Sequence, residues 1–500
     1  MRYNLLIALF FLYAPHLSAQ SPPNILLFLV DDMGWQDTSV PFWEQVTPFN
    51  KRYRTPNMEK LAAQGMKFTN AYATPVCSPT RVSLFTGMNA ARHRVTNWTL
   101  RLNQATDSPD DQLDIPNWNV NGMQPQAGIS RSVHATPLAQ LLQDAGYFTI
   151  HCGKAHFGAM ETPGSEPKNL GFDVNIAGHA AGGPGSHLGT KNFGNAAAGV
   201  NTTPWGVPGL EPYHGQDIFL TEALTKEAIK ALDQRGKQPF FLYMSHYTVH
   251  VPIEPDNRFL QPYLGAGLDE REAKYAAMVE GMDKSLGDLL KYLEKQALSE
   301  NTIILFMSDN GGYSLTPGRG GEAFTHNLPL RSGKGSAYEG GIREPMLVKW
   351  PGVTKAGSTC SAPLIIEDFF PTILEMAGNP NPKTVQTIDG QSFVPLLKGK
   401  PTKSSKRSFI WHYPHRWIPQ EYPGITLFSS IRQGDWKLIY YYKTQSVELF
   451  NLKEDIGEQY NLATAQPKLA RKMQQRLRKQ LLSRNAQFPT DKRSGQQVMP

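Results

Sequence analysis

Cysteine is scarce. There are three in 500 residues, too few for a disulfide framework. Cys152 and Cys360 could pair, though nothing in the sequence pairs them. Cys77 is the odd one, and an unpaired thiol is a liability in an oxidising compartment. Long apolar runs are also missing: the run Leu5–Tyr13 falls well short of the roughly 20 residues a bilayer span needs, so no membrane span is expected. Charge is modest, at 19% of residues, and its excess of one sign is local. The net charge is +7, but from Lys468 to Pro500 nine basic residues face one acid, Asp491. That tail therefore carries +8 and everything before it sums to −1. A basic terminal helix is ordinarily a solvated face, which argues against a nucleic-acid partner.

What is present suits a globular enzyme: hydrophobic residues make up 40%, and 43 Gly with 38 Pro point to long structured loops. Met-Arg, a short apolar run and Leu-Ser-Ala before Gln20 have the form of a secretory leader, with cleavage expected after Ala19. No cysteine stands at the cut, so no lipid anchor is expected there. The mature chain is expected to be exported, to a periplasm or outside the cell.

Four short apolar runs share one design. Ile25–Val30 ends in Asp31-Asp32. Tyr147–Cys152 runs into Gly153-Lys154-Ala155-His156. Phe240–Met244 ends in Ser245-His246, with His250 four residues on. Ile303–Met307 ends in Ser308-Asp309-Asn310. Such runs, bounded by turn residues, read as strands buried on both faces in a mostly parallel sheet. Open α/β sheets bind ligands beyond the carboxyl ends of their strands, where all four deliver polar groups. Helices are expected from Thr55-Pro56 to Gly65, over Leu138–Ala145, and from Glu270 to Leu298. Two stretches, Arg92–Ser132 and Glu161–Gln216, fit no element and are expected to be substrate walls.

After Lys400 the character changes. Ser408–Tyr413, Leu427–Gln433, Trp436–Tyr442 and Glu448–Asn451 read as short strands, followed by a basic helix over about Gln466–Leu482. The expected organisation is a leader over 1–19, an α/β catalytic domain over 20–400 and a smaller α+β subdomain over 401–500. In the latter, His412 and His415 serve either substrate contact or packing.

Asp31, Asp32, Asp309 and Asn310 are hard oxygen donors without a nearby Cys–His cluster, which suits Ca²⁺ or Mg²⁺ rather than zinc. Cys77-Ser78-Pro79-Thr80-Arg81 is the most specific string. A cysteine before a helix, with Arg four residues on, reads as a thiol whose thiolate is favoured by dipole and charge, against the plainer reading of a buried structural thiol.

That string resembles the Cys-x-Pro-x-Arg signature of type I sulfatases of the alkaline phosphatase superfamily, in which the cysteine becomes formylglycine. Asn24–Trp35 resembles the family's first strand and metal pair, and Gly153–Gly158 its Gly-Lys-x-His block. Ser308–Gly312 resembles its second metal pair, and Gly333–Pro345 its later lysine block. The resemblance implies an alkaline-phosphatase-like sandwich with a large mostly parallel sheet and a smaller C-terminal antiparallel sheet. It implies Cys77, as formylglycine hydrate, for the nucleophile, and one Ca²⁺ on Asp31, Asp32, Asp309, Asn310 and residue 77. Arg81 would steady the hydrate, Lys154 and Lys334 would bind sulfate, and His156 would be the base. His250 matches the acid that protonates the leaving oxygen, with His246 as rival and substrate contact. The implied partners are a sulfated saccharide and a formylglycine-generating maturation enzyme. Ulvan, carrageenan, fucoidan, glycosaminoglycans and mucins all stay open as substrates. A phosphonate or phosphodiester hydrolase and an inactive sulfated-glycan-binding paralogue are the alternatives.

Overall fold

The computed structural model describes residues 22–194, 204–400 and 407–500. The expected leader, part of the second long loop and the start of the C-terminal subdomain lie outside the described residues.

Nine strands form one sheet among the described residues. In chain order they are β1 (Asn24–Val30), β2 (Met66–Tyr72), β3 (Phe148–Gly153), β4 (Val174–Ile176), β5 (Phe240–Ser245), β6 (Thr302–Ser308), β7 (Arg343–Lys349), β8 (Ser358–Cys360) and β9 (Leu364–Ile365). The spatial order is β8-β2-β7-β6-β1-β5-β3-β4, with β9 also on β2. All four strands expected from the apolar runs are here, side by side and parallel. Their register sets the site. Leu29 lies beside Ser245, Val30 beside Ser308 and Gly153 beside Ser245, so the four carboxyl ends are level.

The one antiparallel member, β7, pairs with β6 and β2. Its amino end therefore lies at the same edge as the carboxyl ends of β1 and β6, which brings the preceding lysine block there. β2 runs parallel to the central strands and ends at Tyr72, five residues before Cys77. Neither strand was legible in the sequence. Met66–Tyr72 is only half-buried along its length, and Arg343–Lys349 opens on Arg-Glu-Pro.

Helices cover both faces. Along β1, Ile25, Leu27 and Leu29 face one apolar cluster while Leu26, Phe28 and Val30 face another, the two-residue alternation of a strand buried on both sides. The first cluster includes α2 (Cys77–Thr86), α3 (Leu138–Asp144) and α6 (Phe369–Met376). The second includes α1 (Pro56–Gln64), α4 (Leu220–Asp233) and the long α5 (Glu270–Lys295). The result is an α/β/α sandwich.

Behind one edge stands a separate antiparallel sheet of β10 (Ser408–Tyr413), β11 (Phe428–Gln433), β12 (Trp436–Tyr441) and β13 (Ser446–Asn451). The basic helix α7 (Pro467–Leu482) lies on it through Ala470, Met473, Leu477 and Leu481, one stripe of helical spacing, and leaves Arg471, Lys472, Arg478 and Lys479 exposed. No described helix is long and apolar enough to cross a membrane. All three cysteines are free, so Cys152 and Cys360 do not pair.

Candidate active site

The carboxyl edge of the sheet opens into a cavity of about 350 Å³ lined by Asp32, Cys77, His156, His250 and Lys334, together with apolar walls. A larger recess of about 540 Å³ lies at the opposite edge, around Asn301 and Pro351, and contains none of these groups.

Cys77 is the first residue of α2. The helix is buried along its whole length and ends at Gly87, whose φ of 68° suits a residue without a β-carbon. Before it, the Thr74 N–H donates to the Thr80 hydroxyl at 2.9 Å and the Thr74 hydroxyl donates to the Val76 carbonyl at 2.8 Å, closing the turn that delivers Cys77 to the cavity floor. Burial pushes the thiol up to about 11, against the pull of Lys154 and Lys334. The expectation of a favoured thiolate is therefore overturned. None of the Arg81 hydrogen bonds goes to the sulfur. The guanidinium, fully buried, donates to Asp309 Oδ2 at 2.7 and 3.0 Å, to the Lys154 carbonyl at 2.9 Å and to Ser245 Oγ at 2.5 Å. Arg81 thus fastens the helix that bears Cys77 to the ends of three strands.

Asp31 and Asp32 follow β1, and Asp309 and Asn310 follow β6. Asn310 Nδ2 donates to Asp32 Oδ1 at 2.8 Å and the Asp32 N–H reaches Asp309 Oδ1 at 3.3 Å, so the two strand ends are joined. Lys154 Nζ lies 2.7 Å from Asp31 Oδ2, and Lys334 Nζ 2.7 Å from Asp32 Oδ1. Burial, then Asp309, pushes Asp31 well above the usual carboxylate range. Against burial, Lys334, His250 and Lys154 hold Asp32 well below it. Two acceptors in this cluster, Asp31 Oδ1 and Asn310 Oδ1, are buried without a hydrogen-bond partner. Ligand atoms of Asp31, Cys77 and Asp309 lie within 4.8 Å of one another, as do those of Asp32, Cys77 and His250. Crowded carboxylates with unpaired buried oxygens fit a hard divalent cation, which would satisfy the oxygens and remove the carboxylate–carboxylate repulsion.

Both imidazoles that line the cavity have fixed tautomers. His156 Nε2–H donates to the Thr99 carbonyl at 2.8 Å, which leaves Nδ1 a buried lone pair without a partner. Burial, then Lys154, lowers its pKa well below the ordinary histidine value. A neutral ring with one free lone pair is a base. His250 Nδ1–H donates to the Val251 carbonyl at 2.8 Å and its Nε2 stands 3.9 Å from Asp32 Oδ2. Burial, with Lys334 next, holds it down to about 3. Asp32 and His156 both carry positive φ, 60° and 55°. Left-handed backbone costs a non-glycine residue about 1–3 kcal/mol and persists where surrounding structure holds it.

Lys334 Nζ stands 3.6 Å from Cys77 Sγ. Lys154 is fully buried on Asp31 and does not line the cavity. His246 does not reach it either. Its backbone N–H continues the strand ladder to the Leu29 carbonyl, which turns the ring onto α5, where Nε2 meets Ser285 Oγ at 2.9 Å. His412 bonds Ser429 and the Gln487 carbonyl and is a packing residue. Both unassigned stretches do reach the cavity, through Trp98 from the first and Gly182 and Trp205 from the second. The role of Gly182 and Gly183, which pack on His156 and His250, went unread in the sequence.

The family model described as Sulfatase matches residues 23–379, and the one described as N-sulphoglucosamine sulphohydrolase, C-terminal, matches residues 333–487. The chain is 32% identical over 522 residues to a sulfatase of Formosa agariphila, covering 94% of this chain and 90% of that protein. It is 32% identical over 396 residues to the N-acetylgalactosamine-6-sulfatase of Homo sapiens, covering 76% of this chain and 67% of that protein. The crystal structure of Ps i-CgsB in complex with k-i-k-neocarrahexaose is similar at a TM-score of 0.72 and 26% identity, over 92% of this chain and 93% of that one.

Proposed function

The chain belongs to the sulfatase family of sulfuric ester hydrolases, and from that premise we propose that it removes sulfate from sulfated carbohydrate with a nucleophile made from Cys77. The observation that carries the reading is Lys334. It lines the cavity and stands 3.6 Å from Cys77 Sγ, so the group at position 77 and an incoming sulfate share one cation. The carbohydrate class rests on relatives, one named for N-acetylgalactosamine 6-sulfate and one solved with a neocarrahexaose.

Formylglycine hydrate at position 77 would supply one hydroxyl to attack sulfur and a second whose deprotonation releases sulfate and restores the aldehyde. A Ca²⁺ on Asp31, Asp32, Asp309, Asn310 and residue 77 would supply the positive charge that two anions need to meet. Around them the chain's own residues divide the work. Lys334 holds a sulfate oxygen and stabilises charge that builds there in the transition state. Lys154, one layer deeper and 2.7 Å from Asp31, would add its positive charge to the sulfate site from below. Arg81 keeps residue 77 and Asp309 in register and touches no substrate. His156 Nδ1, with its lone pair free, takes the proton of the second hydroxyl. His250 Nε2 faces the leaving oxygen. It enters the cycle neutral, and the negative charge of the bound ester beside it is what favours its protonated, acid form. A sugar alkoxide is a poor leaving group, so that proton matters.

Export to a periplasm or beyond, and processing by a maturation enzyme, belong to the same reading. The test is metal-dependent sulfate release. Exhaustive chelation abolishes turnover of a sulfated saccharide and Ca²⁺ restores it. Asp309→Asn stays folded, because Arg81 keeps an oxygen to donate to, and is inactive with or without Ca²⁺. Undiminished turnover after chelation contradicts the metal assignment, and phosphate esters turned over ahead of sulfate esters with the same leaving group contradict the sulfatase chemistry.

A further inference from the structure

Above its polar floor the cavity is walled by three tryptophans, Trp98, Trp205 and Trp417, with Tyr313 beside them and aliphatic side chains filling the gaps. The indoles come from three distant segments, and all three are half-buried. Trp98 Nε1–H has no hydrogen-bond partner. Aromatic rings that carry polar handles suit a ligand with apolar faces and hydroxyls at its rim. A pyranose ring is such a ligand: its C–H groups pack on indole faces and its hydroxyls accept from N–H and phenol donors. The volume limits how much can enter. About 350 Å³ lies at the small end of the ~300–1,000 Å³ range of ligand pockets, a fit for one sulfated ring between the indoles.

The wall is built. Trp417, in the loop after β10, packs so closely on Gly335 that a β-carbon there would lie 2.4 Å from its ring, and the indole stands 5.6 Å from Lys334 Nζ. The loop bearing Trp417 is fastened to the loop bearing Trp98. His415 bonds Asp107 Oδ1 at 2.7 Å and Thr96 Oγ1 at 2.6 Å, the Ser108 N–H reaches the Arg416 carbonyl at 2.9 Å, and Tyr413 Oη donates to Asn97 Oδ1 at 2.9 Å. His415 is therefore a positioning residue, buried away from the cavity.

We propose that Trp98, Trp205 and Trp417 clamp a single terminal sugar ring of the substrate, so that the enzyme removes sulfate from chain ends, and that the C-terminal unit sets this preference through Trp417. The proposal rests on the sulfatase reading and deepens it to a terminal sulfated pyranose.

The experiment uses the matured full-length enzyme on three kinds of probe. These are 4-nitrophenyl sulfate, a panel of sulfated mono- to hexasaccharides of galactose, N-acetylgalactosamine and glucosamine, and the best member of that panel capped by one further unsulfated unit. Sulfate release from the uncapped sugar is expected to exceed that from the capped one by about 100-fold in kcat/KM. Trp417→Ala raises KM for the uncapped sugar about tenfold, ~1.4 kcal/mol of lost contact, with kcat within about twofold. Trp417→Phe, which keeps a ring, recovers most of the loss. Equal turnover of capped and uncapped sugars overturns the clamp. So does a Trp417→Ala variant with unchanged KM, or one that loses kcat and melting temperature together, which is the mark of a structural role. Turnover of the aryl sulfate with no saccharide overturns it too and leaves the sulfatase reading standing, whereas no release from any sulfate ester removes that reading itself.

Discussion

Gly182 lies so close to His156 that a β-carbon at position 182 would sit 2.3 Å from the imidazole Cε1, and one at Gly183 would sit 2.8 Å from His250 Nδ1. Two adjacent glycines therefore back the two imidazoles of the cavity. Gly182→Ala must displace the His156 ring, whose Nε2–H is already committed to the Thr99 carbonyl. A misplaced catalytic group can cost about 100-fold. We expect kcat to fall by roughly that factor, with a melting temperature close to wild type because the loop covers the cavity and not the core. Steady-state kinetics beside a thermal melt checks this, and an unchanged kcat would take His156 out of the base role.

The acid role proposed for His250 is separable from sulfate binding by the leaving group. Nitrophenolate departs readily as an anion and a sugar alkoxide does not. His250→Ala should therefore lose most of the about 10²–10⁴-fold contribution of general acid catalysis on a sugar sulfate and little on an aryl sulfate. Lys154→Ala should damage both substrates alike, since both present the same sulfate. The ratio of kcat/KM values, variant over wild type, on the two substrates reads the difference. Equal losses for His250→Ala would remove it from the acid role. His246→Ala should change neither ratio selectively, because its ring faces Ser285.

Stability is expected to depend on pH through a buried cluster that joins the two sheets. Lys437 on β12 lies 2.9 Å from Glu339 Oε1 and 2.8 Å from Glu458 Oε1, all three fully buried, and Tyr72 Oη donates to Glu339 Oε2 at 2.6 Å. Against burial, Lys437 and Arg343 lower Glu339 to about 2, while burial raises Glu458 to about 7. Glu339 contributes stability above the ordinary Glu range that is lost as pH falls toward 2. Glu458 acts in the other direction. Between about 4.5 and 7 the native state keeps a proton on Glu458 that the unfolded chain has released, so this residue's contribution to stability falls as pH rises through that window. Nine histidines that burial holds neutral act in the opposite direction up to about pH 6.5, so Glu458 is read by difference: relative to Glu458→Gln, the wild type should lose melting temperature as pH rises from 5 to 7. A gap between the two profiles that stays constant with pH, or that moves in favour of the wild type, would contradict the assignment.

Much of the site was legible because the chemistry sits at the ends of apolar runs. Asp31-Asp32, Lys154, His250 and Asp309-Asn310 each follow a strand whose continuous hydrophobicity marks it as buried on both faces, and parallel pairing then makes those ends level. Other features depend on contacts between distant segments and leave no local signal. Met66–Tyr72 is only partly buried and carries no apolar run, yet it delivers Cys77. The Arg81 side chain reads as a partner of the cysteine four residues before it, but Asp309, 228 positions away, takes its guanidinium. His246 and His250 look equivalent in sequence and are parted by a strand ladder that continues through 246. His415 is explained only by Thr96 and Asp107, some 310 residues earlier.

Position 77 is where burial pushes the thiol up to about 11, which leaves an unmodified cysteine a poor nucleophile at neutral pH. The most direct measurement is mass spectrometry of the peptide containing Cys77, on preparations matured to different extents, set against sulfate released per mole of enzyme. The thiol is expected to be replaced by an aldehyde, turnover to rise in proportion to the converted fraction, and Cys77→Ala to be folded and inactive. Full turnover by protein whose Cys77 peptide retains its thiol would contradict a nucleophile made from Cys77.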